Sequence, residues 1–177
     1  MTSTTIQIVA LRSDPAVISA LADILVETVA HGGSVSFMHP LPHAVAGAFW
    51  TKSLAAADAG ERVVLGAYED AELVATVTLL LDTPPNQPHR GEIAKMMTRL
   101  SHRRRGIAQA LMVEAERIAR ERGRWLLTLD TGTEDGAGPL YEKLGYVKVG
   151  VIPDYAYKPH GELQGTTIYF KRLNGDG

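Results

Sequence analysis

The 177-residue chain has no cysteine. That absence excludes disulfides, thiolate metal sites and a thiol nucleophile or covalent acyl carrier, and it agrees with a cytoplasmic protein. An excess of one charge is also missing: 18 lysines and arginines stand against 20 acidic residues, for a net charge of -2. Nucleic-acid-binding domains carry a marked basic excess, so nucleic acid is not an expected partner. No apolar run approaches about 18 residues and no basic-then-apolar leader opens the chain, so neither a membrane span nor an ordinary signal peptide is expected. His39 and His43 bracket Pro40 and Pro42 in a loop with no third ligand in evidence, and no metal is expected. Repeats, low-complexity tracts and linkers are absent too. Residues 1–177 therefore read as a single domain, with the 45% hydrophobic content needed for a substantial core.

What is there centres on residues 92–121, EIAKMMTRLSHRRRGIAQALMVEAERIARE. The stretch opens as a short apolar strand and passes through a basic turn into a long amphipathic helix. Good helix formers fill its second half, and Ile107, Leu111, Ala115, Ile118 and Ala119 recur at helical spacing. At the junction stand Arg103, Arg104, Arg105, Gly106, Ile107 and Ala108. A helix N-terminus exposes unpaired N–H groups and roughly half a positive charge, which suits a phosphate or pyrophosphate. A glycine there lets the backbone approach the ligand.

Along the rest of the chain, residues 4–11 read as a β-branched strand. Ser13-Asp14-Pro15 starts a helix that ends at Gly32-Gly33. A loop over 34–43, a helix over 44–59 and strands over 62–68 and 73–81 follow. The proline-rich segment 82–90 reads as a surface loop. Residues 125–130, WLLTLD, form a continuous apolar run, as expected of a strand covered on both faces. A short helix over 134–144 has Pro139 as its weak point. Strands over 146–152 and 166–172 and a polar tail complete the chain.

Arg103-x-x-Gly106-x-Ala108 matches the (Q/R)-x-x-G-x-(G/A) signature of the GCN5-related N-acetyltransferases. The downstream stretch from Ala137 to Tyr146, AGPLYEKLGY, resembles that family's A-x-x-x-Y-E-K-x-G-F element. Segments 27–38, 127–131, 149–155 and 166–173 narrow the resemblance to the tabtoxin resistance acetyltransferases, which act on a β-lactam amino acid. The resemblance implies an α/β (α+β) fold, with a mixed, mostly antiparallel sheet of about seven strands and about four flanking helices. It also implies acetyl-CoA as cosubstrate and a small amine as acceptor, with a homodimer possible.

Carried over residue by residue, the resemblance implies that Arg103, Arg104, Arg105, Gly106, Ile107, Ala108 and Lys143 bind the cofactor. Backbone N–H groups of Met96, Met97 and Thr98 would pair with the pantetheine and polarise the thioester carbonyl. Thr98 and Leu100 depart from the family's usual valine and proline, and Glu134 from a frequent asparagine. Tyr141 is implied as the acid toward the leaving thiolate, its other reading being a hydrogen-bonded core tyrosine. Glu92 and Asp130 are implied near the acceptor amine, either one as base; a solvated strand-end charge and a turn cap are their alternative roles. His31, Gly33, Ser34 and Phe37 are candidates for the acceptor pocket, or form a helix stop and core plug. Tyr155 is a weaker candidate. Acetylation of a protein N-terminus or lysine is the rival within the family. An anion- or nucleic-acid-binding module using Arg103 to Arg105 is the rival outside it.

Overall fold

The structure, a computed structural model, describes residues 5–173. Thr4, assigned above to the first strand, and the polar tail at 174–177 lie outside the described residues.

Strand β1 (Ile6–Ala10) leads into helix α1 (Pro15–Ala30). Asp14 caps that helix by accepting from the N–H groups of Ala16 (2.8 Å) and Val17 (3.2 Å), which would otherwise be unpaired. After α2 (His43–Asp58) come β2 (Arg62–Glu69) and β3 (Glu72–Leu80), then β4 (Arg90–Thr98) and a 3₁₀ turn at Leu100–His102. Helix α3 (Ile107–Glu121), β5 (Leu126–Gly132) and α4 (Gly138–Lys143) follow, and the hairpin β6 (Val147–Tyr157) and β7 (Leu163–Arg172) closes the fold. The expected helix at 134–144 begins only at Gly138, with Pro139 in its first turn, where a missing N–H is harmless. The last two strands are longer than the sequence indicates, because they pair with each other almost end to end.

The seven strands form one sheet in the order β1-β2-β3-β4-β5-β7-β6. Every pairing is antiparallel except β4 with β5. Helices α1 and α2 pack on one face with Val64, Leu73 and Met97. Helix α3 covers the other with Leu65, Val77 and Leu127. Its buried stripe contains Ile107, Leu111, Met112, Ala115 and Ala119. Each large side chain in it contributes about 1.5–3 kcal/mol through burial.

Strands β2 and β3 are buried on both faces, which explains why their apolar runs are interrupted only by small or hydroxyl residues (Gly66, Thr76 and Thr78). Strand β5 departs from that expectation. Leu127 and Leu129 are buried, but Leu126 and Thr128 are only half-buried and Asp130 is exposed. The core formed by α1 and α2 takes its strand residues from β1 to β4 and stops short of β5. One face of β5 is therefore left open, and the cleft lies there.

Candidate active site

The cleft starts where the sheet divides. Strands β4 and β5 pair only at Arg90–Leu126, Gly91–Leu127 and Glu92–Thr128, then part. Beyond Glu92, the peptide groups of β4 that face β5 have no partner strand. Met96, Met97 and Thr98 line this gap. Strand β4 also bulges: Thr78 pairs with Ala94 but Thr76 with Met97, so Lys95 and Met96 together oppose Val77. Lys95 takes up the irregularity with φ 53, a conformation few non-glycine residues adopt.

One end of the cleft is the N-terminus of α3. Gly106 sits at the cap with φ 80 and no side chain to satisfy the first N–H groups of the helix. Gly106, Ile107, Ala108 and Gln109 line the cleft there. Arg103 and Arg104 line it as well, and among the described residues neither has a carboxylate within ion-pairing distance. Arg105 is held elsewhere. Its guanidinium pairs with both oxygens of Glu69 at the end of β2, and Glu69 also accepts from His102 Nε2 at 2.8 Å. Arg105 and then His102 hold the Glu69 carboxyl below its usual range. Glu27 on α1 accepts from the Leu100 N–H at 3.1 Å, so the basic turn is fixed from two sides. These free donors and two uncompensated guanidiniums suit a polyphosphate.

The other end collects the candidate chemical groups. Tyr141, from α4, is buried (5% exposed), yet it lines the cleft. Its hydroxyl makes no hydrogen bond among the described residues. Burial, then the charge of Asp130, pushes its pKa up to about 12. Asp130 accepts from the Thr166 hydroxyl at 2.7 Å across the β5–β7 pairing. Glu92 lies 3.6 Å from Arg90 Nη1 and is 41% exposed at its side chain. Both carboxylates line the same cleft, whose volume is about 910 Å³.

His31, Gly33 and Ser34 also line it. Gly33 has no room for a side chain, because a Cβ would lie 2.5 Å from Thr28 Cγ2. The loop they belong to is fastened at several points. Ser34 accepts from Gln164 on β7, the His39 N–H donates to Pro159 at 2.9 Å, and the His39 ring packs on His160.

Four expected site residues stand outside the cleft. Arg105 is engaged by Glu69. Lys143 is exposed at the C-terminal end of α4. Phe37 packs edge-to-face on Phe49 at 5.3 Å, as a plug of the α1–α2 core. Tyr155 is 56% exposed on β6, the outermost strand. Lys95, Glu69 and Gln164 are among the residues around the cleft that escaped the sequence reading. Lys95 had a signal, a lone lysine between Ala94 and Met96; Glu69 and Gln164 had none, because the fold brings them in from distant strands. No group of three or more potential metal ligands occurs among the described residues.

Similarity to known proteins agrees with this geometry. Over 81 residues the chain is 31% identical to the uncharacterized N-acetyltransferase YedL of Escherichia coli K12, covering 44% of this chain and about half (51%) of that relative. An N-acetyltransferase from Staphylococcus aureus Mu50 superposes with a TM-score of 0.81 at 16% identity, over 97% of this chain and 100% of its own. The yncA protein of Salmonella typhimurium, solved with its cofactor acetyl-CoA, gives 0.78 at 16% identity, over 97% and 96%. Residues 29–146, which include the divided strands, the α3 N-terminus and Tyr141, match the acetyltransferase (GNAT) family model, and the chain belongs to that family.

Proposed function

We propose that this protein transfers an acetyl group from acetyl-CoA to the amino group of a small, amino-acid-like molecule in the cytoplasm. One observation carries the proposal: the uncapped α3 N-terminus and its free arginines open into the same cleft as Tyr141, Glu92 and Asp130. The pyrophosphate would rest on the N–H groups of Ile107 and Ala108 beside Arg103 and Arg104. The unpaired peptide edge of β4 would receive the pantetheine and direct N–H groups at the thioester oxygen. Acetyl-CoA supplies an activated acyl carbon.

Glu92 and Asp130 hold the acceptor ammonium and take up the protons it sheds, directly or through water. Amines with pKa above about 8 arrive protonated, so binding that cation precedes removal of its proton. Tyr141 donates a hydrogen bond to the sulfur as negative charge develops. Its pKa of about 12 lies roughly 3 units above that of an ordinary thiol, so outright proton transfer to the thiolate is uphill. The balanced outcome is a new C–N bond and a broken C–S bond: the ammonium gives up two protons to Glu92, Asp130 and water, one of which reaches the thiolate through water while the other leaves to solvent.

The fastened loop over 34–43 and the bounded cleft favour a small acceptor over a peptide. The resemblance to tabtoxin resistance acetyltransferases makes β-lactam amino acids the first acceptors to try. A second copy of the chain is the proposed partner, because β6 leaves Val147, Val149 and Val151 exposed along an unpaired edge. Calorimetric titration with acetyl-CoA, referenced to desulfo-CoA, tests the cofactor. Saturable one-to-one binding followed by thiol release with an amine is the expected result. Absence of binding at millimolar ligand would overturn the enzyme reading.

A further inference from the structure

The acetyl transfer above does not explain the placement of Lys95 in the cleft. This lysine sits between Ala94 and Met96 in β4, in a left-handed conformation that persists only where the surrounding structure enforces it. The bulge that holds it turns its side chain toward the loop and α2. Its Nζ donates to Ser36 Oγ at 3.2 Å and lies 5.7 Å from the Phe49 ring centre. Ser36 itself has φ 74, so two non-glycine residues hold uncommon conformations to bring these groups together.

The charges around Lys95 are unbalanced in a particular way. Glu92 on its own strand and Asp130 on β5 both act on it electrostatically. Neither lies within 4 Å, and no other carboxylate among the described residues does. Desolvation lowers its pKa more than those two carboxylates raise it. A partly desolvated ammonium with one neutral hydrogen-bond partner has donors to spare and gains from an anion.

We propose that Lys95 and Ser36 form a carboxylate subsite, and that the acceptor bears a carboxylate alongside the amine it presents to Glu92 and Asp130. The subsite rests on the acetyltransferase reading and narrows it to amino acids and their analogues. A cation on one wall and two carboxylates beside it match a zwitterion, whereas a simple amine or polyamine would leave Lys95 unpaired. The same arrangement discriminates against amides and esters, which lack the charge.

The test is thiol release from acetyl-CoA with a panel of amino acids, β-alanine and β-lactam amino acids, each run beside its carboxamide. Wild-type protein is expected to prefer the free acids by about 10–100-fold in kcat/KM, the range of a charge-assisted hydrogen bond. Lys95→Met is expected to remove that preference by raising KM for the acids, leaving the amides within about 3-fold of wild type. Ser36→Ala, which severs the loop tether and keeps the cation, is expected to retain most of the preference. If Lys95 only fastened the loop, Lys95→Met would impair acids and amides alike, and that result overturns the subsite. Equal use of acids and amides by wild type overturns it without recourse to any variant. So does acetyl-CoA binding with no turnover of any acid, which leaves the acetyltransferase standing. Failure to bind acetyl-CoA removes both.

Discussion

Tyr141 differs from its buried neighbours in what its oxygen meets. Tyr169 donates to Glu142 at 3.2 Å, and the Tyr146 hydroxyl is sealed in the core, but the Tyr141 hydroxyl opens on the cleft. Tyr141→Phe is expected to lower kcat by about 10–100-fold, with acetyl-CoA affinity unchanged, as steady-state kinetics and calorimetry would read. Unaltered turnover would remove Tyr141 from the mechanism. Its pH behaviour follows from burial. The folded pKa of about 12 exceeds the unfolded value of about 10, so its contribution to stability is complete below pH 10 and lost as pH rises through 12. A basic limb in the pH–rate profile below pH 10 therefore belongs to other groups, and Tyr141→Phe should leave it in place.

Elements build the end of the cleft at the α3 N-terminus. The turn between β4 and α3 contains two left-handed residues, Arg104 (φ 60) and Gly106 (φ 80), and a turn so irregular needs outside support. Glu69 provides it from β2 by engaging Arg105 and His102 together. Glu69→Gln is expected to loosen the turn and raise the acetyl-CoA Kd several-fold while leaving acceptor KM alone. The sign of its pH dependence is fixed. A carboxyl held below its unfolded pKa of about 4.3 stabilises above that value and stops doing so as pH falls through the folded one. The melting-temperature gap between wild type and Glu69→Gln should therefore be open at pH 7 and narrow as the solution is acidified below the unfolded carboxyl range. Reading three adjacent arginines as equivalent was natural from sequence. The fold separates them, because a carboxylate 36 positions away engages only the third.

At the scale of the molecule, β6 is the unprotected border. Val147, Val149, Val151 and Ile152 are each 42–63% exposed on a strand with a neighbour on one side only. Edge strands of this length and apolarity are ordinarily blunted or covered. Sedimentation equilibrium is expected to give twice the 19.1 kDa chain mass, and Val149→Lys to return it toward one chain without loss of acetyl-CoA binding. A monomer in the wild type would remove the proposed partner.

The sequence by itself determined most of the elements and the basic turn that opens α3. Helix α3 was legible to the residue at both ends, because its apolar period, its glycine and the basic turn before it are local signals. Tyr141, Glu92 and Asp130 became candidates through a resemblance carried by short motifs. Only the tertiary structure decided which of these groups share a cleft. The early end of β4–β5 pairing opens the sheet, and the loop after α1 is held down by β7 and the β6–β7 turn. It also decided that Lys95 faces that space and that Phe37, Lys143 and Tyr155 do not. Local periodicity fixes which side of a strand or helix is apolar, but a bulge, a strand divergence and a long-range ion pair depend on partners far along the chain.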